Sequence, residues 1–177
     1  MAQDMTAVEI RKVIESDVSV PADRVRAWMK SDDLEVQAGI VIIISEYQDR
    51  IDPPIEGETI FGFCLNYYKR CFLENPPDGE FTANRTVEGY TLHNWFKILW
   101  VNKESNSRLL DEIKRMVADV YVSGDAGSRY AIETAFLEHL FEDREIEGYF
   151  SDWKCNVALK DAYDRAREWG TSKRAGF

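Results

Sequence analysis

Histidine and cysteine are scarce in this 177-residue chain, which has two of the first and three of the second. Cys64, Cys71 and Cys155 make an odd set with no Cys-x-x-Cys spacing, which argues against the dense, even-numbered disulfide framework of a small secreted domain. Cys64 and Cys71 stand seven residues apart, roughly 10 Å along a helix and too far for a disulfide. All three are expected to be buried or half-buried thiols in a reducing compartment. The longest unbroken apolar run, Ile40 to Ile44, falls far short of the ~20 residues that span a bilayer. The opening residues lack a basic stretch followed by an apolar core, so no signal peptide is expected and the cytoplasm is the expected location. The ten glycines never fall as Gly-x-Gly-x-x-Gly, and neither a phosphate-loop motif nor Gly-x-Ser-x-Gly occurs. Phosphate cradles and the hydrolase nucleophile elbow therefore lack their signatures.

What the chain does have is apolar and acidic. Hydrophobic residues make up 45% and aromatics 12%, a globular composition sufficient for one domain, residues 1–177, with its own core. Acids outnumber bases 32 to 22, giving a net charge of -10. The basic residues are mostly interspersed with acids, so a nucleic-acid footprint is not expected. An acidic surface favours a cationic partner.

The apolar spacing predicts an all-α fold. Two short helices carry Val8, Val13 and Ile14 and then Val25, Trp28 and Met29. A third runs from Leu34 to Tyr47 despite its β-branched centre, with Leu34, Ala38, Val41, Ile42 and Ser45 as its stripe. Pro53-Pro54 breaks the chain before a helix from about Gly57 to Leu73, and Pro76-Pro77 breaks it again. Arg85 to Trp100 follows, with Val87, Tyr90, Leu92, Trp95, Phe96, Leu99 and Trp100 as a broad aromatic stripe. Asn106 or Ser105 is placed to cap a helix through Tyr121, and Tyr130 to Phe141 is amphipathic. A last helix holds Tyr163, Ala166 and Trp169 and is expected to stop at Gly170. The result is an irregular bundle of about eight helices, with HEAT-like helix pairs as the alternative, although no period aligns.

Few residues are arranged for chemistry. His93 lies among Leu92, Trp95 and Phe96 and reads as a packed structural residue. His139 and Glu142 are three apart and share a helical face, the one place where a small metal-dependent or hydrolytic enzyme would be centred. No Glu-x-x-His occurs, so the pairs of a helical di-iron site are missing and no metal or cofactor is expected. The densest single-sign block includes Glu138, Glu142, Asp143, Glu145 and Glu147, relieved only by Arg144. Displayed on one surface, such carboxylates accelerate encounter with a basic protein. Tyr149 and Trp153, beside that block, are the first choices for exposed aromatic anchors.

The strings Leu137-Glu138-His139-Leu140-Phe141-Glu142-Asp143, Tyr149-Phe150-Ser151-Asp152-Trp153, Ala162-Tyr163 and Glu168-Trp169-Gly170 resemble a group of small helical bacterial proteins. The Ile51-Asp52-Pro53-Pro54 break and the segment from Asn94 to Trp100 fit the same pattern. The group is similar in style to immunity proteins that bacteria pair with secreted toxins. The resemblance implies a cytosolic binder that blocks one cognate toxin without catalysis, and it brings no catalytic residues with it. A helical adaptor or scaffold is the remaining alternative.

Overall fold

A computed structural model describes residues 2–175, with side chains from residue 6 onward. It is 74% helical, so the all-α expectation is met. Among the described residues no helix is long and apolar enough to cross a membrane. The chain divides into two compact units, residues 1–70 with 76–83, and residues 71–75 with 84–177.

The first unit contains α1 (Ala2–Glu15), β1 (Val20–Pro21), α2 (Ala22–Trp28), α3 (Leu34–Glu46), β2 (Ile51–Asp52) and most of α4 (Gly57–Glu74). Asp33 starts α3 by accepting a hydrogen bond from the Glu35 N–H at 2.9 Å, which satisfies one of the free amides of the first turn. The β-branched run is helical because α3 is covered by α1 on one side and α2 on another, so burial outweighs propensity. Its buried face differs from the expected stripe. Val36, Ile40, Ile43 and Ile44 are buried, whereas Val41 and Ile42 are half-buried and Ser45 is exposed. The two-residue strands β1 and β2 pair in parallel, Val20 with Ile51 and Pro21 with Asp52; a bridge this short leaves no periodic signal. Glu35 ties down the turn after α4. Its carboxylate accepts from the Phe81 N–H (2.8 Å), the Thr82 N–H (3.1 Å) and the Thr82 hydroxyl (2.6 Å). Burial pushes this carboxyl up, but those donors outweigh it and hold it below its ordinary value.

The second unit contains the last turn of α4, α5 (Arg85–Trp100), α6 (Ser107–Ser123), α7 (Ala126–Ala131), a π-helical segment (Ile132–Leu137), α8 (Glu138–Leu140), α9 (Arg144–Tyr149), a 3-10 turn (Ser151–Cys155) and α10 (Lys160–Ala175). Three starts carry side-chain caps of the Asn/Asp type: Asn84 on α5, Asp125 on α7 and Asp143 on α9. Asn106 precedes α6 without capping it, since its amide donates to the Leu99 carbonyl at 2.9 Å. The core is a ring cluster. Phe96 meets Phe136 edge-on at 5.8 Å, and Phe150 lies at 5.8 Å from Phe96 and 5.7 Å from Phe141. Gly170 does not stop α10. A Cβ there would lie 2.3 Å from the Phe141 carbonyl oxygen, so the missing side chain lets α10 seat on the end of α8.

Cys64 and Cys71 are buried as expected, and burial pushes the Cys64 thiol up to about 12. Cys155 is exposed, a correction that follows from its place at the end of the 3-10 turn.

Candidate protein-binding face

Two opposite faces of α5 define the site. The inner face buries Glu88, Gly89, Leu92, His93 and Phe96, one face at helical spacing. Gly89 permits close approach to the π-helical segment, because a Cβ there would lie 2.8 Å from the Ala135 Cβ. The His93 ring Nδ1 stands 3.3 Å from the Phe136 carbonyl of the same segment. These contacts accompany the burial of this face of α5. Val87 and Tyr90, both part of the expected aromatic stripe, are 47% and 42% exposed. Ile98 (69%) and Val101 (80%), the latter just past the helix end, extend the same outward face. The pattern Val87, Tyr90, Asn94, Ile98, Val101 was present in the sequence as a three- and four-residue spacing. With apolar residues on both sides of one helix, spacing alone does not say which side meets the core.

The expected acidic residues divide in two. Glu142, Asp143 and Glu145 are exposed where α8 passes to α9, and Glu138 is half-buried nearby, its carboxyl raised by burial. Glu142 Oε1 lies 3.0 Å from the His139 ring Nδ1. Asp143 caps α9 through the Glu145 N–H at 2.8 Å. Glu145 pairs with Lys103. Glu147, by contrast, turns inward with only 15% of its side chain exposed and is held by Arg174 at 2.8 Å and Arg167 at 3.3 Å. It is not a surface lure. The charge pattern gave no warning, because both arginines come from α10, about one helix away in sequence.

The two aromatic anchors also divide. Trp153 is 2% exposed and packs edge-on against Phe150 at 5.1 Å, which removes it as an exposed anchor; the 3-10 turn folds it under the unit. Tyr149 is half-buried between Trp100 (5.2 Å) and Phe150 (5.4 Å). Its hydroxyl donates to Asp111, and burial together with that carboxylate pushes its phenol up.

The apolar face and the carboxylates adjoin. The Tyr90 ring lies 5.7 Å from the His139 ring, and His139 holds Glu142. At the far end of α5, Lys103 sits 5.2 Å over Trp100 and reaches Glu145. The result is an exposed face carrying Val87, Tyr90, Ile98 and Val101, interrupted by Asn94, with Glu142 near its Tyr90 end and Glu145 near Trp100.

The His139–Glu142 contact orients an imidazole with a carboxylate, a geometry that a hydrolytic site would require but that also arises from an ordinary i,i+3 helix pair. Among the described residues, no three His, Cys, Asp or Glu side chains are grouped as ligands for a metal ion. Beside this pair, His93 is pushed below its ordinary value by burial, with Lys97 and His139 adding to the effect and the Phe136 carbonyl and Glu142 opposing it. A depressed imidazole is neutral in the fold and takes up a proton more readily when unfolded. Its contribution to stability is therefore complete above the unfolded value of about 6.5 and is lost as pH falls through that value toward the folded one. The denaturation midpoint is expected to drop between pH 7 and pH 5, with a shallower slope in His93→Gln. An NMR titration placing the His93 midpoint at or above 6.5 would contradict this.

Comparison with protein-family models, curated proteins and solved structures finds no match to this chain.

Proposed function

We propose that this chain is a non-enzymatic protein-binding module of the immunity type, which neutralises a toxin of basic surface by covering it with the outer face of α5. The observation that supports this reading is the exposed strip of Val87, Tyr90, Ile98 and Val101 bordered by Glu142 and Glu145. Apolar side chains at the centre of an interface contribute most of the affinity, while rim carboxylates set encounter rate and partner choice. The net charge of -10 acts in the same direction over longer range. A standard interface covers about 800 Å² on each partner, which the strip and its border would fill with help from Trp100 and Tyr149.

The kinetic test is charge reversal. The double variant Glu142→Lys with Glu145→Lys is expected to slow association with the toxin about tenfold at low salt, and to flatten the dependence of that rate on ionic strength. Unchanged kinetics would remove the acidic rim from the reading.

A second reading, hydrolytic chemistry at His139 and Glu142, draws on their 3.0 Å contact. His139→Ala separates the two. Loss of neutralisation while the toxin is still bound favours chemistry, and neutralisation that rises and falls with binding favours binding as the function.

A further inference from the structure

The second unit also carries a feature of opposite charge. Between α9, the 3-10 turn and α10 lies an open groove of about 500 Å³, lined by Arg144, Lys154, Arg167 and Arg174 with Glu147 and Tyr163. Four cationic side chains face one carboxylate, so three positive charges are in excess, in a chain whose net charge is -10. Glu147 is already committed. It receives Arg174 at 2.8 Å and Arg167 at 3.3 Å, and the Tyr163 hydroxyl stands 3.3 Å from it. Its role is to fix the two α10 guanidinium groups, each of which keeps further N–H donors. Arg174 also donates to the Phe141 carbonyl, which anchors the end of α10 against α8. Lys154 rests 5.0 Å over the Tyr163 ring. Neither Arg144 nor Lys154 enters a carboxylate ion pair among the described residues, and both side chains are exposed.

Clustered like charges repel one another, and Glu147 is the one carboxylate among the residues that line this cluster. An external anion would remove the imbalance. Guanidinium forks match the oxygens of a phosphate in pairs, and an ammonium adds a movable point charge. The groove is far larger than one phosphate, so it has room for an organic body or a second phosphate. We propose that this groove is a binding site for a phosphate-bearing small molecule, with Arg144, Lys154 and Arg167 as the residues that grip the phosphate. The proposal stands apart from the toxin-binding reading, since the groove residues are not those of the α5 face.

Gly148 supplies a clean perturbation. It lines the groove, and a Cβ there would meet nothing within 4 Å, so Gly148→Glu adds a carboxylate without a clash and improves the propensity of α9. The test is calorimetric titration of the full chain at low ionic strength with inorganic phosphate, pyrophosphate and adenosine 5′-triphosphate, followed by amide chemical shifts. Saturable binding is expected for pyrophosphate and the nucleotide, at least about tenfold tighter than for phosphate, with shifts centred on residues 144–174. Gly148→Glu and the double variant Arg144→Gln with Lys154→Gln are each expected to weaken that binding about tenfold while the thermal midpoint stays at or above that of the parent. Equal nucleotide and pyrophosphate affinity assigns the site to the phosphate chain itself, and tighter nucleotide binding assigns part of it to the organic body. Absence of saturable binding by either, or binding unaffected in both variants, would overturn the proposal.

Discussion

Replacing Phe96 by alanine is expected to destabilise the second unit by about 3–5 kcal/mol, the range for truncating a buried aromatic. Phe96 is 0% exposed. Its ring stacks on Trp100 at 5.9 Å, meets Phe136 edge-on at 5.8 Å and lies 5.8 Å from Phe150 and 6.2 Å from Tyr149. Deleting it removes the partner of four rings at once, and the rings come from α5, the π-helical segment, the end of α9 and the residue after it, which cannot all close on one void. Four of the five tryptophans, Trp95, Trp100, Trp153 and Trp169, belong to this unit, so their fluorescence reports its unfolding directly. The denaturant midpoint should fall while the slope of the transition stays constant. A loss below about 1 kcal/mol would mean that the ring cluster is loosely packed, outside the behaviour of close-packed cores. The functional consequence follows from position: Phe96 seats the helix whose opposite side is the proposed interface.

The second large effect concerns that opposite side. Ile98→Glu with Val101→Glu is expected to reduce affinity for the proposed toxin partner by about a hundredfold or more, equivalent to roughly 2.7 kcal/mol. Both side chains are mostly in water in the free protein, at 69% and 80% exposure, so the fold has little to lose at either position. In the complex the same positions would be covered, and two carboxylates without partners would be desolvated at its centre. The pair of expectations makes a contrast. Phe96→Ala lowers stability, whereas the glutamate pair lowers affinity and leaves the thermal midpoint nearly unchanged.

Much of the secondary structure was legible in the sequence. The limits of α5, Arg85–Trp100, match the spacing argument, and α3 is helical in spite of its five consecutive β-branched residues. Which side of each helix faces inward was less legible. Val87 and Tyr90 look outward because the inner face of α5 is fixed by Gly89 against Ala135 and by His93 against the Phe136 carbonyl, and a hydrophobic scale assigns no weight to either contact. The π-helical segment has no compositional signature; it differs from an α-helix only in the reach of its hydrogen bonds. Sequence neighbourhood places Glu147 and Trp153 on the surface. α10 supplies the arginines that cover the first, and the 3-10 turn buries the second against Phe150. Such long-range partners are not encoded in local periodicity. Glu142, Asp143 and Glu145, by contrast, are exposed as their charge suggested.

The central claim is that the outer face of α5, bordered by carboxylates, silences a toxin by binding it. Its most direct test is co-expression with a candidate toxin, chosen for its own growth arrest and its coding beside this chain, with growth as the readout. The parent chain is expected to relieve growth arrest, and the Ile98→Glu, Val101→Glu variant, expressed and folded to the same level, is expected to let arrest return. Continued arrest with the parent chain, or full protection by the variant, would contradict the claim.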